Sequence, residues 1–216
     1  MACLYAFLAL FLLLKLNEGV AYLRHDAFIG YSEVTVDPPP PPPPPPPVQA
    51  REYLIFTTAY GAIKVRLFVH QAPQTVSYIK SLLEGGTLSG CSLYRAEPPG
   101  ERVDTGYPGS RKGYALLQGG FCGRQSATTL PVESEIANAK GTVSLITGTK
   151  EFFFNLEDHL EWNGSFTAWG EIAGERSWQV LKTLVSLPTR QERHPVGTVM
   201  RMLLKEVTFS VSLQRL

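Results

Sequence analysis

Few side chains in this 216-residue chain stand where chemistry could be done. Arg95 closes the short run Ser92-Leu-Tyr-Arg95, and its guanidinium stays charged at any working pH. It is therefore a permanent hydrogen-bond donor or a surface cation at a strand end. Gln118 stands near the end of Tyr114-Ala-Leu-Leu-Gln118, where a polar group either binds something or meets solvent. Cys91 and Cys122 are left as a pair once Cys3, inside an apolar leader, is set aside. In an oxidising compartment an even count suits a bridge, and two buried thiols are the alternative. Asn163-Gly-Ser165 is an N-glycosylation acceptor. Phe152, Phe153 and Phe154 are consecutive, and side chains alternate across a strand, so Phe153 must face away from the other two. One set packs in a core and the other lines a surface or pocket.

The elements that must carry these residues follow from periodicity. Tyr53–Thr58 and Ile63–Phe68 read as a hairpin turning at Gly61, with Ile63, Val65 and Leu67 alternating against Lys64 and Arg66. Pro73 opens a helix whose buried stripe is Val76, Ile79 and Leu83, stopped by Gly85-Gly86. Further strands are expected at Ser92–Arg95, Tyr114–Gly120, Thr142–Ile146, Phe152–Phe154 and Phe166–Ile172. A second helix spans Glu175–Leu184, with Trp178, Leu181 and Val185 on one face. Leu187–Pro195 reads as a loop and Val199–Val211 as the last strand. The polar, Gly- and Pro-rich stretch from Ala96 to Gly113 is also a loop. About eight strands and two helices at this spacing predict a mainly β, closed barrel rather than a doubly wound sheet.

Composition narrows the function classes. Hydrophobic residues make up 44% and charged residues 18%, which suits a globular chain. The net charge of +1 leaves no electrostatic footprint for nucleic acid. Met1–Leu14 carries no charged side chain and is too short for a relaxed transmembrane helix, which needs about 20 residues. Residues 1–21 therefore read as a signal peptide, with Gly19-Val-Ala21 as its cleavage region, or as a signal anchor. Either places the domain in the secretory pathway: endoplasmic reticulum, Golgi or outside the cell. Residues 22–51 form a linker that contains ten consecutive prolines, Pro38–Pro47. Proline fixes φ and lacks the N–H, so this is a polyproline II rod of about 31 Å, read as a stiff spacer. The folded domain is expected at 52–216.

Across those residues the chain resembles the cyclophilin-type peptidyl-prolyl cis-trans isomerases. The landmarks come in the family's order: Thr58, Gly61 and Ile63; Ala72-Pro-x-Thr-Val76; Tyr94-Arg95; Gln118-Gly-Gly120; Gly141-Thr-Val-Ser144 with Phe152-Phe153; and Trp169-Gly170. Glu133 falls where the family has an acidic residue. The resemblance implies an eight-stranded antiparallel β-barrel capped by two α-helices, and rotation about X–Pro bonds of polypeptide substrates. No metal or cofactor is implied, because the chemistry is transition-state complementarity alone. Arg95 matches the catalytic arginine that donates to the prolyl nitrogen. Gln118 matches the glutamine that orients it, and Phe153 the floor of the proline pocket.

The rest of the pocket departs from the family. Ala115-Leu116 replaces Phe-Met, and Leu145-Ile146-Thr147 replaces Met-Ala-Asn. Glu151 replaces a glutamine, Trp162 stands one residue from the family's pocket aromatic, and Phe166 replaces a histidine. The substrate-binding set implied is thus Phe153, Leu116, Ile146, Thr147, Glu151, Trp162 and Phe166. Glu151 is expected to pair with Arg95 and occupy its donors. If the strands around Tyr94 and Gln118 pair antiparallel, Cys91 and Cys122 face each other as a disulfide across the ends of the long insertion. Three readings result: an isomerase of the secretory pathway with reduced activity, a catalytically weak module that binds proline-containing segments, and a structural domain held near a membrane through residues 1–21.

Overall fold

The computed structural model describes residues 51–83, 88–100, 102–103, 111–112, 114–122, 127–193 and 199–216. The expected leader and polyproline rod, Gly85-Gly86 and half of the 96–113 stretch lie outside them. The elements in order are β1 (Glu52–Thr58), β2 (Gly61–Leu67), α1 (Pro73–Leu82), β3 (Leu88–Glu97), β4 (Arg102–Val103), β5 (Arg111–Lys112), β6 (Leu116–Gly120), β7 (Thr142–Leu145), β8 (Glu151–Asn155), a 3-10 turn (Leu160–Trp162), β9 (Thr167–Ala173), α2 (Glu175–Val185), β10 (Thr189–Arg193) and β11 (Val199–Arg215).

The strands pair in the order β1-β2-β9-β7-β8-β6-β3-β11, and β1 pairs again with β11. Every pairing is antiparallel, so eight strands close into a barrel. β10 adds an extra strand to the start of β11. This corrects the loop expected at Leu187–Pro195. Thr-Arg-Gln-Glu-Arg carries no apolar alternation because four of its five side chains are exposed; backbone pairing alone, not burial, makes it a strand. β4 and β5 form a separate two-residue hairpin inside the expected loop.

The barrel interior is filled by alternate residues of every strand. Phe56, Phe152, Phe154 and Phe209 meet with ring centroids 5.4 to 5.9 Å apart, and Phe121 lies 4.6 Å from Phe152. Phe153 points the other way, as alternation requires. α1 buries Thr75, Val76, Ile79 and Leu82. Its start, Ala72, offers no side-chain cap. Glu133 supplies one from across the chain: its carboxylate accepts the N–H of Gln74 at 3.0 Å and of Thr75 at 2.9 Å. α2 buries Ser177, Val180, Leu181, Leu184 and Val185 while Trp178 is half-buried. Ser177 Oγ ties it to the sheet, donating to the Ala173 carbonyl and accepting the Lys64 N–H.

Candidate active site

The strand register lays the expected residues along one outward row. Directly opposed residues share a face. Met202 opposes Arg95, Arg95 opposes Gln118, Gln118 opposes Phe153, and Phe153 opposes Ser144. Four adjacent strands, β11, β3, β6 and β8, thus present Met202, Arg95, Gln118 and Phe153 side by side.

A bulge sharpens this row. Leu93 opposes Gly119 and Arg95 opposes Gln118, so Tyr94 is the extra residue on β3. Without it Tyr94 and Arg95 would point to opposite faces; with it both reach Gln118. The strands come close here. A Cβ on Gly119 would sit 2.5 Å from the Ser92 carbonyl and 2.7 Å from the Leu93 side chain, so only glycine fits.

Arg95 is 7% exposed and held from three sides. Its Nε donates to Glu97 Oε1 at 3.0 Å, its Nη1 donates to Gln118 Oε1 at 3.1 Å, and its guanidinium lies 4.7 Å from the Tyr114 ring centre. Its Nη2 is buried and has no hydrogen-bond partner among the described residues. One donor atom of the guanidinium is therefore unsatisfied among the described residues. Glu97, 1% exposed, also accepts the Arg201 N–H at 3.0 Å. It takes the place of a ladder partner just past the last β3–β11 pair, Met202–Arg95.

Gln118 donates from Nε2 to the Tyr94 hydroxyl at 2.8 Å and, more weakly, to Glu151 Oε2 at 3.3 Å. Burial and the nearby Glu151 carboxylate push the Tyr94 phenol well above its ordinary range, so it stays neutral. Glu151 therefore serves Gln118 and Tyr94. The carboxylate on Arg95 is that of Glu97, which corrects the pairing expected of Glu151: residues 95 and 97 share a strand face, and Glu151 is two strands away.

On the far side of Gln118, Phe153 stands edge-on to Trp162 and Phe166, with centroids 5.4 and 5.3 Å away. Trp162 and Phe166 meet edge-to-face at 5.9 Å. The three rings make an apolar corner beside the Gln118–Arg95 pair. Tyr114 links the two halves, with its ring 6.4 Å from Trp162. Ala115, in the left-handed region at φ 43°, turns the chain between Tyr114 and β6. Trp162 is backed by His159, stacked at 3.8 Å. A buried polar network holds this corner. Asn138 Nδ2 donates to the Phe166 carbonyl and to Asn163 Oδ1, Ser144 Oγ donates to Asn138 Oδ1, and Asn155 Nδ2 donates to Ser144 and Thr142.

The remaining expected residues are less central. Leu116 is buried on the Gln118 face of β6, two residues along. Ile146 is half-buried and Thr147 exposed in the turn after β7. Asn163 is exposed and follows the 3-10 turn. Cys91 and Cys122 are joined as a disulfide with Cα atoms 4.8 Å apart, just beyond the Arg95–Gln118 pair. Glu97, Tyr114 and Asn138 went unforeseen. An i, i+2 spacing from Arg95 was signal enough for Glu97. Tyr114 and Asn138 carried none, because each reaches the site through a turn. Among the described residues no three His, Cys, Asp or Glu side chains converge as metal ligands would.

A family model described as cyclophilin type peptidyl-prolyl cis-trans isomerase/CLD matches residues 53–204. Among solved structures, a cyclophilin-type peptidyl-prolyl cis-trans isomerase of Cryptosporidium parvum, in the presence of the dipeptide Ala-Pro, superimposes with a TM-score of 0.55 at 16% identity. It covers 75% of this chain and 98% of its own. A second structure of that protein gives a TM-score of 0.52, also at 16% identity, over 76% and 98%. A search of curated protein sequences found no match.

Proposed function

The chain belongs to the cyclophilin-type peptidyl-prolyl cis-trans isomerase family, and from that membership we propose how its own residues act on an X–Pro bond and where it works. The X–Pro bond rotates slowly because amide resonance stiffens it, with a barrier of about 18–20 kcal/mol. A donor that bonds the prolyl nitrogen as it turns pyramidal weakens that resonance. Arg95 Nη2 is the donor, and the observation that carries this assignment is that it is buried, charged and without a hydrogen-bond partner among the described residues, beside an aromatic corner. Phe153, Trp162 and Phe166 hold the proline ring while the preceding carbonyl swings. Gln118 and Glu97 fix the guanidinium plane, so the donor needs no reorganisation at the moment of reaction. Leu116, Ile146 and Thr147 border the same face. The substrate class is a proline-containing polypeptide in extended conformation, a reading helped by the dipeptide Ala-Pro present with the Cryptosporidium parvum protein.

The catalytic domain is taken as residues 52–216, with residues 1–21 as signal or anchor and 22–51 as linker. A secretory-pathway location is favoured by the apolar leader, by the Cys91–Cys122 bridge and by the exposed Asn163 acceptor. A second reading, a binding module of low turnover, is favoured by one observation: Arg95 and Gln118 are already bonded to each other, Arg95 also to Glu97 and Gln118 also to Glu151. The deciding experiment is isomerisation of a short X–Pro peptide followed by NMR exchange, wild type beside Arg95→Ala. Acceleration that disappears in the variant supports the enzyme and its donor. Binding without acceleration supports the module, and neither effect leaves both readings without support.

A further inference from the structure

The outward row does not stop at Arg95. Met202 opposes Arg95, Arg190 opposes Met202, and Glu192 opposes Met200. Leu203, between Met202 and Leu204, is 3% exposed and belongs to the core, so Met200, Met202 and Leu204 all face outward. Met200 and Met202 are half-buried, and Leu204 is 57% exposed. Arg190 and Glu192 flank this strip but are paired with each other, so they offer little net charge across it. Next to the arginine, then, lies an apolar strip built on β11 and β10, and β10 is the strand added outside the eight-stranded barrel.

We propose that Met200, Met202 and Leu204 form an accessory subsite that takes an apolar side chain of the same polypeptide whose proline occupies the Phe153–Trp162–Phe166 corner. The inference rests on the isomerase reading of that corner. Its occupant is fixed by continuity: the strip and the corner lie on one face, separated by Gln118 and Arg95. From β8 to β11 is three strand spacings, about 14 Å. An extended chain covers that in about four residues. The recognised side chain therefore lies about four residues from the proline. Two flexible thioethers would accept leucine, methionine or phenylalanine rather than one shape.

The test uses the full chain and nine-residue peptides with a central Ala-Pro. One carries leucine four residues before the proline, one carries it four residues after, and one carries alanine at both places. The chain has three methionines, Met1, Met200 and Met202, so methyl-13C methionine labelling reports the strip directly. Wild type should prefer one leucine peptide over the alanine peptide by about tenfold in kcat/KM, the effect of half-burying a leucine. Its Met200 and Met202 methyl signals should move with that peptide. In Met200→Gln/Leu204→Gln the preference should fall to about one, with Met202 as the remaining reporter. A wild-type ratio near one, or a tenfold ratio kept in the variant, overturns the subsite. So do methyl signals that move on dilution of the protein alone, which would make the strip a contact between copies through β10. If no peptide is turned over, the isomerase reading fails separately. The methyl titration then decides the strip, as leucine and alanine peptides bind with affinities that differ tenfold or do not.

Discussion

Neutralising Glu97 should damage both stability and turnover. Its carboxylate is 2% exposed and 3.0 Å from Arg95 Nε, and it also accepts the Arg201 N–H. At an effective dielectric of about 20, charges about 4 Å apart attract by about 4 kcal/mol. Desolvation of both ions offsets part of that, and a charge-assisted hydrogen bond is worth about 1.5–3 kcal/mol net. Glu97→Gln keeps an oxygen for Arg95 and for Arg201 but removes the charge, so we expect a loss of about 2 kcal/mol. With a urea slope of about 2 kcal/mol per molar, the unfolding midpoint falls by about 1 M. Arg95 would then be held by neutral amide oxygens and the Tyr114 ring with no carboxylate to fix its plane, and kcat/KM for an X–Pro peptide should drop about tenfold, equivalent to about 1.4 kcal/mol. Truncation to Glu97→Ala leaves a buried guanidinium without its counterion and should cost about 3–5 kcal/mol. A cycle with Arg95→Ala separates the pair from its surroundings. A midpoint within about 0.2 M of wild type, together with unchanged or higher kcat/KM, would refute the idea that Glu97 holds the arginine for catalysis.

Glu133→Ala should destabilise the domain by about 1–2 kcal/mol, because two N–H groups at the start of α1 lose their only side-chain cap among the described residues; urea unfolding measures it. Tyr94 should show no phenolate absorbance through pH 10. Burial, with Glu151 second, raises its pKa, so the stability it contributes is full below the unfolded value near 10 and is lost as pH climbs through the folded value. Glu151→Gln should bring that titration to lower pH, and an unmoved curve would remove Glu151 as a cause. Alkylation without reductant should label neither Cys91 nor Cys122, and reduction should cost about 3–4 kcal/mol for a bridge that spans 31 residues.

Much of the barrel was legible along the chain. Strand alternation turned Phe153 away from Phe152 and Phe154, and the 3.6-residue period located both helices. These signals are local, and burial on one face writes them into residue types. β10 escaped because four of its five side chains meet solvent; a strand held by backbone pairing on one edge needs no apolar alternation. The extension of β11 to Arg215 escaped in part for the same reason: its last two residues are exposed and paired through backbone to β1.

The types of the site residues were likewise open to reading. A permanent donor at the end of Ser92-Leu-Tyr-Arg95, an amide before two glycines and an aromatic triplet are properties of the sequence by itself, and so is the i, i+2 spacing that puts Glu97 on the face of Arg95. Which groups touch was decided only by tertiary structure. The bulge at Tyr94, the left-handed turn at Ala115 and the register of β3 against β6 and β11 determine that Arg95 meets Glu97, Gln118 and Tyr114 rather than Glu151. Register is set by the sum of many cross-strand contacts and by loop closure. One inserted residue shifts which side chains share a face, and no local pattern of residue types records it.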